Sequence, residues 1–96
     1  MRPSEALAKN RDKVLEIIGR YSVTNPRIFG SAARGDDVEG SDLDMVVDPE
    51  GTFSYFDMAG LALELEAVLG CAVDLGTARS LKPDVAARAS VDFRPI

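Results

Sequence analysis

The segment "SDLDMVV", from Ser41 to Val47, places two aspartates at the start of an apolar run. Successive side chains of a β-strand point to opposite faces of a sheet, so residues two apart share a face. If this segment is a strand, Asp42 and Asp44 project together, while Leu43 and the apolar residues that alternate with it enter a core. The pattern predicts a strand over residues 43–47 with one buried face and one face that carries two carboxylates.

Two carboxylates on one sheet face repel each other, and each raises the pKa of the other unless a cation lies between them. That cost is a reason to infer a bound metal ion. The alternative is a solvated strand start, in which Asp42 only caps a turn. The chain has no histidine and one cysteine, Cys71, so a zinc site of the usual Cys/His kind is excluded. Carboxylate oxygens favour Mg²⁺, Mn²⁺ or Ca²⁺.

A Gly-Ser pair, Gly30 and Ser31, precedes the two aspartates at the end of a strand predicted over residues 27–30. Glycine at a strand end lets the backbone approach a ligand closely. Ser31 opens a predicted short helix, and the free N–H groups at the amino terminus of a helix favour anions such as phosphate. A plain strand-to-helix turn explains the same two residues, so the pair alone does not decide between these interpretations.

A third acid, Asp74, lies in "AVDLG" within a strand predicted over residues 71–75. Val73 and Leu75 flank it on the predicted buried face, so Asp74 belongs to the opposite face. If this strand pairs with the strand of Asp44, three carboxylates share one side of the sheet. Three carboxylates can hold two Mg²⁺ ions about 3.5–4 Å apart, an arrangement suited to in-line attack on phosphorus.

Apolar periodicity predicts helices over residues 4–20, 52–69 and 83–90, with Ser4 as a helix cap and the tail "VDFRPI" as an edge strand or a loose end. The predicted core face of the second helix consists of Phe56, Leu61, Leu65, Val68 and Leu69. The order α-β-β-α-β-α predicts an α/β or α+β domain of two layers, with one domain over residues 1–96. Strand order and direction are left open.

The charge pattern limits the class of partner. Between Arg34 and Arg79 there are eleven acidic residues and no basic one. Such a block repels a nucleic-acid backbone, so direct binding of nucleic acid is not expected. The chain lacks a run of 18 apolar residues, so no membrane partner is expected, and its single cysteine is typical of a reducing cytoplasm.

Together, "GSAARGDDVEGSDLDMVV" and the later "VDL" resemble the minimal nucleotidyltransferases of the DNA polymerase β-type superfamily. That family pattern is Gly-Ser, a spacer of about ten residues, Asp-x-Asp, and a third acid on a later strand. The resemblance covers about half of the chain and implies a small mixed sheet with helices on one face. It implies Gly30 and Ser31 at nucleotide phosphates, and it implies that two Mg²⁺ ions are held by Asp42, Asp44 and Asp74. Arg34 matches a family arginine that either neutralises phosphate or pairs with a neighbouring aspartate, Asp36 or Asp37.

The resemblance also implies an activity and a partner. Minimal nucleotidyltransferases are typically paired with a HEPN-domain toxin, and the family implies that this chain is the antitoxin. It would transfer AMP from ATP to a tyrosine of that toxin, neutralise the toxin by binding it, or do both. Transfer to a small molecule such as an aminoglycoside is a further alternative, although the chain shows no added domain that would bind such an acceptor.

Overall fold

The computed structural model describes residues 1–77 and 83–96. Its elements in chain order are α1 (Pro3–Lys9), α2 (Arg11–Ile18), β1 (Val23–Phe29), α3 (Gly30–Arg34), β2 (Leu43–Pro49), α4 (Tyr55–Leu69), β3 (Val73–Thr77), α5 (Pro83–Ser90) and β4 (Arg94–Pro95). The predicted α/β class is confirmed, and the tail supplies the edge strand. No helix among the described residues is both long and apolar enough to cross a membrane.

The four strands in the described part of the chain form a mixed sheet in the order β3-β2-β1-β4. β1 runs antiparallel to both β2 and β4, whereas β2 and β3 are parallel neighbours. Parallel neighbours need a long crossover connection, and α4 provides it. This pairing supplies the strand order and direction that the sequence pattern left open.

One face of the sheet carries the core, against which α1, α2 and α4 pack. The strands contribute alternate residues to this core, as the period of two in β2 predicts. The buried apolar side chains of the core are Ala6, Leu7, Val14, Ile17, Ile18, Val23, Ile28, Ala32, Leu43, Met45, Val47, Leu61, Leu65, Leu69 and Val73.

A bulge in β1 lets both ends of this strand face the core. The sequence predicted a strand over residues 27–30 only, but β1 begins at Val23 and includes the tripeptide "TNP" that precedes Arg27. The register with β2 shifts between Thr24 and Arg27, and Asn25 has φ of 51°. One extra residue reverses the facing of a strand, so Val23 and Ile28 are both buried although five positions separate them.

The single helix predicted over residues 4–20 is wrong, because Asn10 divides it into α1 and α2. The Asn10 side-chain amide donates to the Ala6 carbonyl at 2.9 Å, and its backbone leaves the helical region with φ of −112° and ψ of 20°. Asparagine side chains compete for backbone hydrogen bonds in this way and so interrupt helices. The prediction that Ser4 caps the first helix is also wrong, since Arg2 holds the cap position.

The first turn of α1 is bound instead by Asp37, a residue of the loop before β2. One Asp37 carboxylate oxygen accepts from the Ser4 backbone N–H at 2.8 Å, and the other accepts from the Ser4 hydroxyl at 2.8 Å. Asp37 is only 2% exposed. Asp37 lies in the spacer between Gly-Ser and Asp-x-Asp, and through it this spacer fixes α1 against the rest of the fold.

The second predicted helix is present as α4, but it begins at Tyr55 and not at residue 52. One side chain of its predicted core face is exposed. Ser54 and Asp57 cap it reciprocally, and Gly70 ends it in the left-handed conformation with φ of 71°. Phe56, predicted for the core face, is 89% exposed, because it lies seven residues before Leu63 on the outward side of the helix. Phe53, which precedes the helix, packs against the core instead.

We expect Asp37→Asn to lower the free energy of unfolding at pH 7 by about 1–3 kcal/mol, the usual cost of losing hydrogen bonds to a buried charged acceptor. Burial opposes ionisation, but the two hydrogen bonds from Ser4 outweigh it and lower the pKa of Asp37. A lowered pKa means that the wild-type advantage is complete above the ordinary pKa of aspartate and is lost as pH falls through the folded value.

Urea unfolding of both proteins between pH 7 and pH 2 measures this effect. Asp36→Asn, which changes the exposed neighbour, is the matched control and should cost much less at pH 7. A difference between wild type and Asp37→Asn that stays constant down to pH 2 would contradict the account.

Candidate functional site

Asp44 and Asp74 are direct partners in the parallel pairing of β2 and β3. Register partners point to the same face of a sheet, about 4.8 Å apart in the direction across the strands. Val73 is buried in the core, so Asp74 lies on the opposite face, where it is exposed. Asp44 is half-buried on that same face. The condition that the sequence set for a shared site, pairing of the third strand with the second, is therefore met.

Asp42 directly precedes β2 and is exposed to solvent. The strand begins at Leu43, whose backbone N–H donates to the Ala72 carbonyl at 2.8 Å. Asp42 thus lies at the edge of the same acidic face, two positions before Asp44. The sequence pattern predicted this grouping of Asp42 with Asp44, and the structure brings Asp74 beside them.

The environment of Asp44 opposes ionisation of its carboxyl group. Burial, followed by the negative charges of Asp74 and Asp42, raises the pKa of Asp44 above its usual value. The positive charge of Arg34 acts in the other direction but does not reverse the shift. Among the described residues, no side chain or backbone group forms a hydrogen bond or ion pair with these three carboxylates. The acidic face therefore carries repulsion that the described residues relieve only in part.

Gly30 lies directly against Asp44. Phe29 is the register partner of Asp44, so the next residue turns the chain over the carboxylate. Gly30 has φ of 70°, a conformation that side chains disfavour, and a Cβ atom built there would overlap Asp44 Oδ2. The sequence predicted that glycine here allows close approach to a ligand. The structure shows that it also allows close approach of the backbone to the carboxylate.

Ser31 follows in α3, a helix of five residues. The residue before this helix, Phe29, is extended and provides no side-chain cap, and Gly35 ends the helix at φ of 80°. The short helix predicted at this point is confirmed. Ser31 is half-buried, one residue from the glycine that contacts Asp44.

Arg34, at the last position of α3, forms two ion pairs. Its Nε donates to Asp36 at 3.3 Å, and its Nη1 donates to Asp92 at 2.9 Å. Of the two neighbouring aspartates that the sequence offered as partners, Asp36 pairs with it, whereas Asp37 is bound to Ser4. No sequence signal indicated Asp92, because 58 positions separate it from Arg34.

The donor set fits a hard divalent cation better than any other metal. Within residues 1–77 and 83–96, no three acidic, histidine or cysteine side chains are gathered into a ready-made metal-binding group. What the structure provides is a pair of cross-strand carboxylates with a third close enough to raise the pKa of Asp44. Three carboxylates would leave coordination positions of Mg²⁺ open for water and phosphate oxygens, which Mg²⁺ sites in proteins commonly include.

A cleft among the described residues lies elsewhere. It has a volume of about 550 Å³ and is lined by Pro49, Gly51, Phe53, Ser54, Tyr55, Met58 and Thr77. These residues lie around the carboxyl ends of β2 and β3, whereas Asp44 and Asp74 lie near the amino ends. Three residues of strand, about 10 Å, separate Asp74 from Thr77. The acidic face is therefore not part of this cleft.

Comparison with known proteins identifies related chains. Residues 12–91 match the family described as polymerase beta nucleotidyltransferase. The protein adenylyltransferase MntA of Thermococcus cleftensis is 41% identical over 71 residues, which cover 74% of this chain and 72% of that protein. Both similarities include the Gly-Ser and Asp-x-Asp region.

Solved structures show the same fold. A chain provisionally described as a minimal nucleotidyltransferase superposes with a TM-score of 0.85 at 36% identity, covering 97% of this chain and 95% of that one. A complex of the tri-AMPylated HEPN toxin of Shewanella oneidensis with its MNT antitoxin gives a TM-score of 0.70 at 20% identity, covering 92% of this chain and 69% of that one. The second similarity concerns the fold alone.

We expect Asp44→Asn to raise the free energy of unfolding at pH 7 when divalent cations are absent. The raised pKa of Asp44 means that wild-type stability falls as pH rises from the ordinary value of aspartate through the folded value, and the amide removes this loss. Mg²⁺ at about ten times its Kd should stabilise the wild type by about 1.4 kcal/mol and should not stabilise the variant.

Thermal unfolding with EDTA or with Mg²⁺ measures both effects. Asp48→Asn is the matched control on the same strand. Asp48 accepts hydrogen bonds from Arg27 at 2.7 Å and from Asn25 at 3.1 Å, so its loss should destabilise the protein with or without Mg²⁺. If Asp44→Asn also destabilised the metal-free protein, repulsion at the acidic face would be ruled out.

Gly30→Ala and Gly35→Ala form a second matched pair. Both glycines have positive φ, so each alanine should cost about 1–2 kcal/mol of stability through backbone strain. Only the Cβ at position 30 would overlap Asp44, whereas nothing lies within 4 Å of a Cβ at position 35. Stabilisation by Mg²⁺, measured by thermal shift, should therefore be lost in Gly30→Ala and retained in Gly35→Ala. Equal behaviour of the two variants would refute the role of Gly30 at Asp44.

Proposed function

The chain belongs to the polymerase beta nucleotidyltransferase family, and on that premise we propose that it transfers AMP from ATP to a hydroxyl group of a partner HEPN-domain toxin. The acceptor is a tyrosine of the toxin, and the chain acts as the antitoxin. The observation that carries the catalytic part is the register pairing of Asp44 with Asp74 on the face opposite the core. The name of the Thermococcus relative and the AMPylated toxin of the Shewanella complex support the substrate and the partner.

The metal sites in this proposal are formed by Asp42, Asp44 and Asp74. Asp42 and Asp44 would hold the Mg²⁺ ions, and Asp74 would complete the site. Bound Mg²⁺ lowers the pKa of the attacking hydroxyl and neutralises negative charge on the triphosphate. The repulsion at Asp44 supports this assignment, because a cation would stabilise the ionised carboxylates.

The residues of the chain have separate tasks in the transfer. Gly30 and Ser31 bind the phosphates of ATP through backbone N–H groups and the Ser31 hydroxyl. The tyrosine oxygen attacks the α-phosphorus, and the bond between that phosphorus and the leaving pyrophosphate breaks. Asp74, which is more exposed than its register partner Asp44, accepts the hydroxyl proton. ATP and tyrosine thus give AMP-tyrosine and pyrophosphate.

The compartment that suits this activity is the cytoplasm. ATP is available there, and Cys71 is a free thiol that a reducing environment keeps unmodified. The chain has no second cysteine with which Cys71 could form an internal disulfide.

Neutralisation by docking alone is a second candidate function, and a feature of α4 favours it. Tyr55 and Phe56 are each 89% exposed, and Leu63 is 65% exposed. Exposed aromatic side chains are enriched at protein-binding surfaces. This surface lies on a helix that packs on the core face of the sheet, away from the carboxylates, so docking and transfer can be separated by mutation.

We expect the purified chain, incubated with ATP, Mg²⁺ and its partner toxin, to add AMP-sized mass increments to the toxin. Asp42→Ala, Asp44→Ala and Asp74→Ala should each lower the rate by several orders of magnitude, because each removes a ligand of the metals that stabilise the transition state. Mass spectrometry of the intact toxin measures the transfer.

Two results would change the assignment. An equal mass gain with Asp44→Ala would show that the acidic face is not catalytic. Neutralisation of toxin activity by the triple aspartate variant at an equimolar ratio would establish docking as the sufficient mechanism. Tyr55→Ala/Phe56→Ala serves as the matched variant, since it alters the α4 surface and leaves all three carboxylates in place.

A further inference from the structure

The C-terminal segment 92–94 contacts the carboxyl end of α3. Asp92 Oδ2 accepts from Arg34 Nη1 at 2.9 Å, and Arg94 Nε donates to the Ala33 carbonyl at 3.3 Å. Both contacts are made at the carboxyl end of α3, where a positive group such as that of Arg94 also interacts favourably with the helix dipole. The sequence predicted only an edge strand or a loose tail for this segment.

The residue between these two contacts reaches the start of α3. The Phe93 ring meets the Phe29 ring edge to face, with centroids 5.7 Å apart and an interplanar angle of 72°. Phe29 is the residue that immediately precedes Gly30. The guanidinium carbon of Arg27 lies over the Phe93 ring, 5.1 Å from its centroid, and this cation–π contact also holds the ring.

The sheet anchors this segment. β4 pairs antiparallel with β1, with Ile28 opposite Arg94, and the Ile96 N–H donates to the Pro26 carbonyl at 3.3 Å. The Ile96 carbonyl accepts from Arg11 Nη2 at 3.1 Å. Segment 92–94 is therefore fixed by the sheet at its carboxyl end, which lets it hold that helix in place.

The Arg34 guanidinium is held on two of its three nitrogens. Nε is bound to Asp36 and Nη1 to Asp92, while Nη2 has no partner among residues 1–77 and 83–96. Arg34 is also the cation whose charge acts on Asp44. A guanidinium with two nitrogens fixed and one left over loses little conformational freedom when it binds an oxyanion.

We propose that Asp92 is a positioning residue, which fixes Arg34 so that its remaining nitrogen meets a phosphate oxygen of the nucleoside triphosphate. The proposal rests on the proposed function for the identity of the nucleotide. It assigns phosphate neutralisation to Arg34 and gives segment 92–94 the task of holding α3 and its arginine. Asp92 itself does not touch the nucleotide.

Asp92 suits this task better than Asp36, the other partner of Arg34. The Asp92 side chain is 26% exposed and the Asp36 side chain is 62% exposed, and the Asp92 contact is the shorter one. A more buried ion pair is less screened by water and holds its geometry better. Asp92 also belongs to the anchored segment, whereas Asp36 lies two residues from Arg34 in the loop that follows α3.

The test measures ATP binding directly, by titration calorimetry with the full chain in Mg²⁺ and without any acceptor, and then the KM for ATP and the kcat in the transfer assay. We expect Asp92→Asn to raise the Kd and the KM for ATP about two- to fivefold, the range that a surface ion pair supports. The kcat should change less than twofold, and Asp36→Asn should have a smaller effect on both constants. In an Arg34→Ala background, Asp92→Asn should have no further effect on the Kd.

Each alternative outcome distinguishes a positioning role of Asp92 from a purely structural one. An unchanged Kd for Asp92→Asn, or an equal rise in the presence and absence of Arg34, would overturn the proposal, since Asp92 would then act on the fold or not at all. Glu5→Gln, which breaks the surface ion pair between Arg2 and Glu5, is the control for a general loss of charge and should leave the Kd unchanged. A wild type that binds ATP but transfers no AMP refutes the proposed function alone, and a wild type that does not bind ATP refutes both.

Discussion

The parallel pairing of β2 with β3 is the constraint on which the candidate site depends. It sets Asp44 opposite Asp74 and, through the same register, buries Leu43 and Val73 on the other face. A shift of one residue would turn one carboxylate into the core and one apolar residue into solvent. The burial of the core face therefore enforces the position of the acids, so stability and site geometry have a common cause.

Two aspartates of this chain illustrate opposite uses of a carboxylate. Asp37 is buried but receives two hydrogen bonds from Ser4, so it stabilises the fold as an anion. Asp44 is less buried, receives no hydrogen bond from the described residues and faces two further acids. One carboxylate is satisfied by hydrogen bonds, and the other receives none from the described residues. Gly30 maintains this second state, because any larger residue would displace the Asp44 side chain.

Much of this arrangement could be predicted from the sequence, since alternation in residues 43–47 and around Asp74 reports the buried face directly. The parts that failed depend on contacts between distant residues. Asn10 divides a periodic pattern through a side-chain hydrogen bond, and Asp37 is buried by a helix that begins 34 positions earlier. Phe56 has the hydrophobicity of a core residue but lies on the outward side of α4, and periodicity does not say which apolar stripe of a largely apolar helix faces the sheet.

The crossover from β2 through α4 to β3 has a consequence for how the protein folds. Asp44 and Asp74 are 30 positions apart, so no local segment contains the site, and the two carboxylates meet only when this long loop closes. Their repulsion consequently opposes a late, non-local step rather than the formation of any single helix or hairpin. Higher ionic strength screens exposed like charges. Salt should therefore speed this closure step. A folding rate that rises with salt would show that repulsion between the carboxylates slows the step in which the site forms.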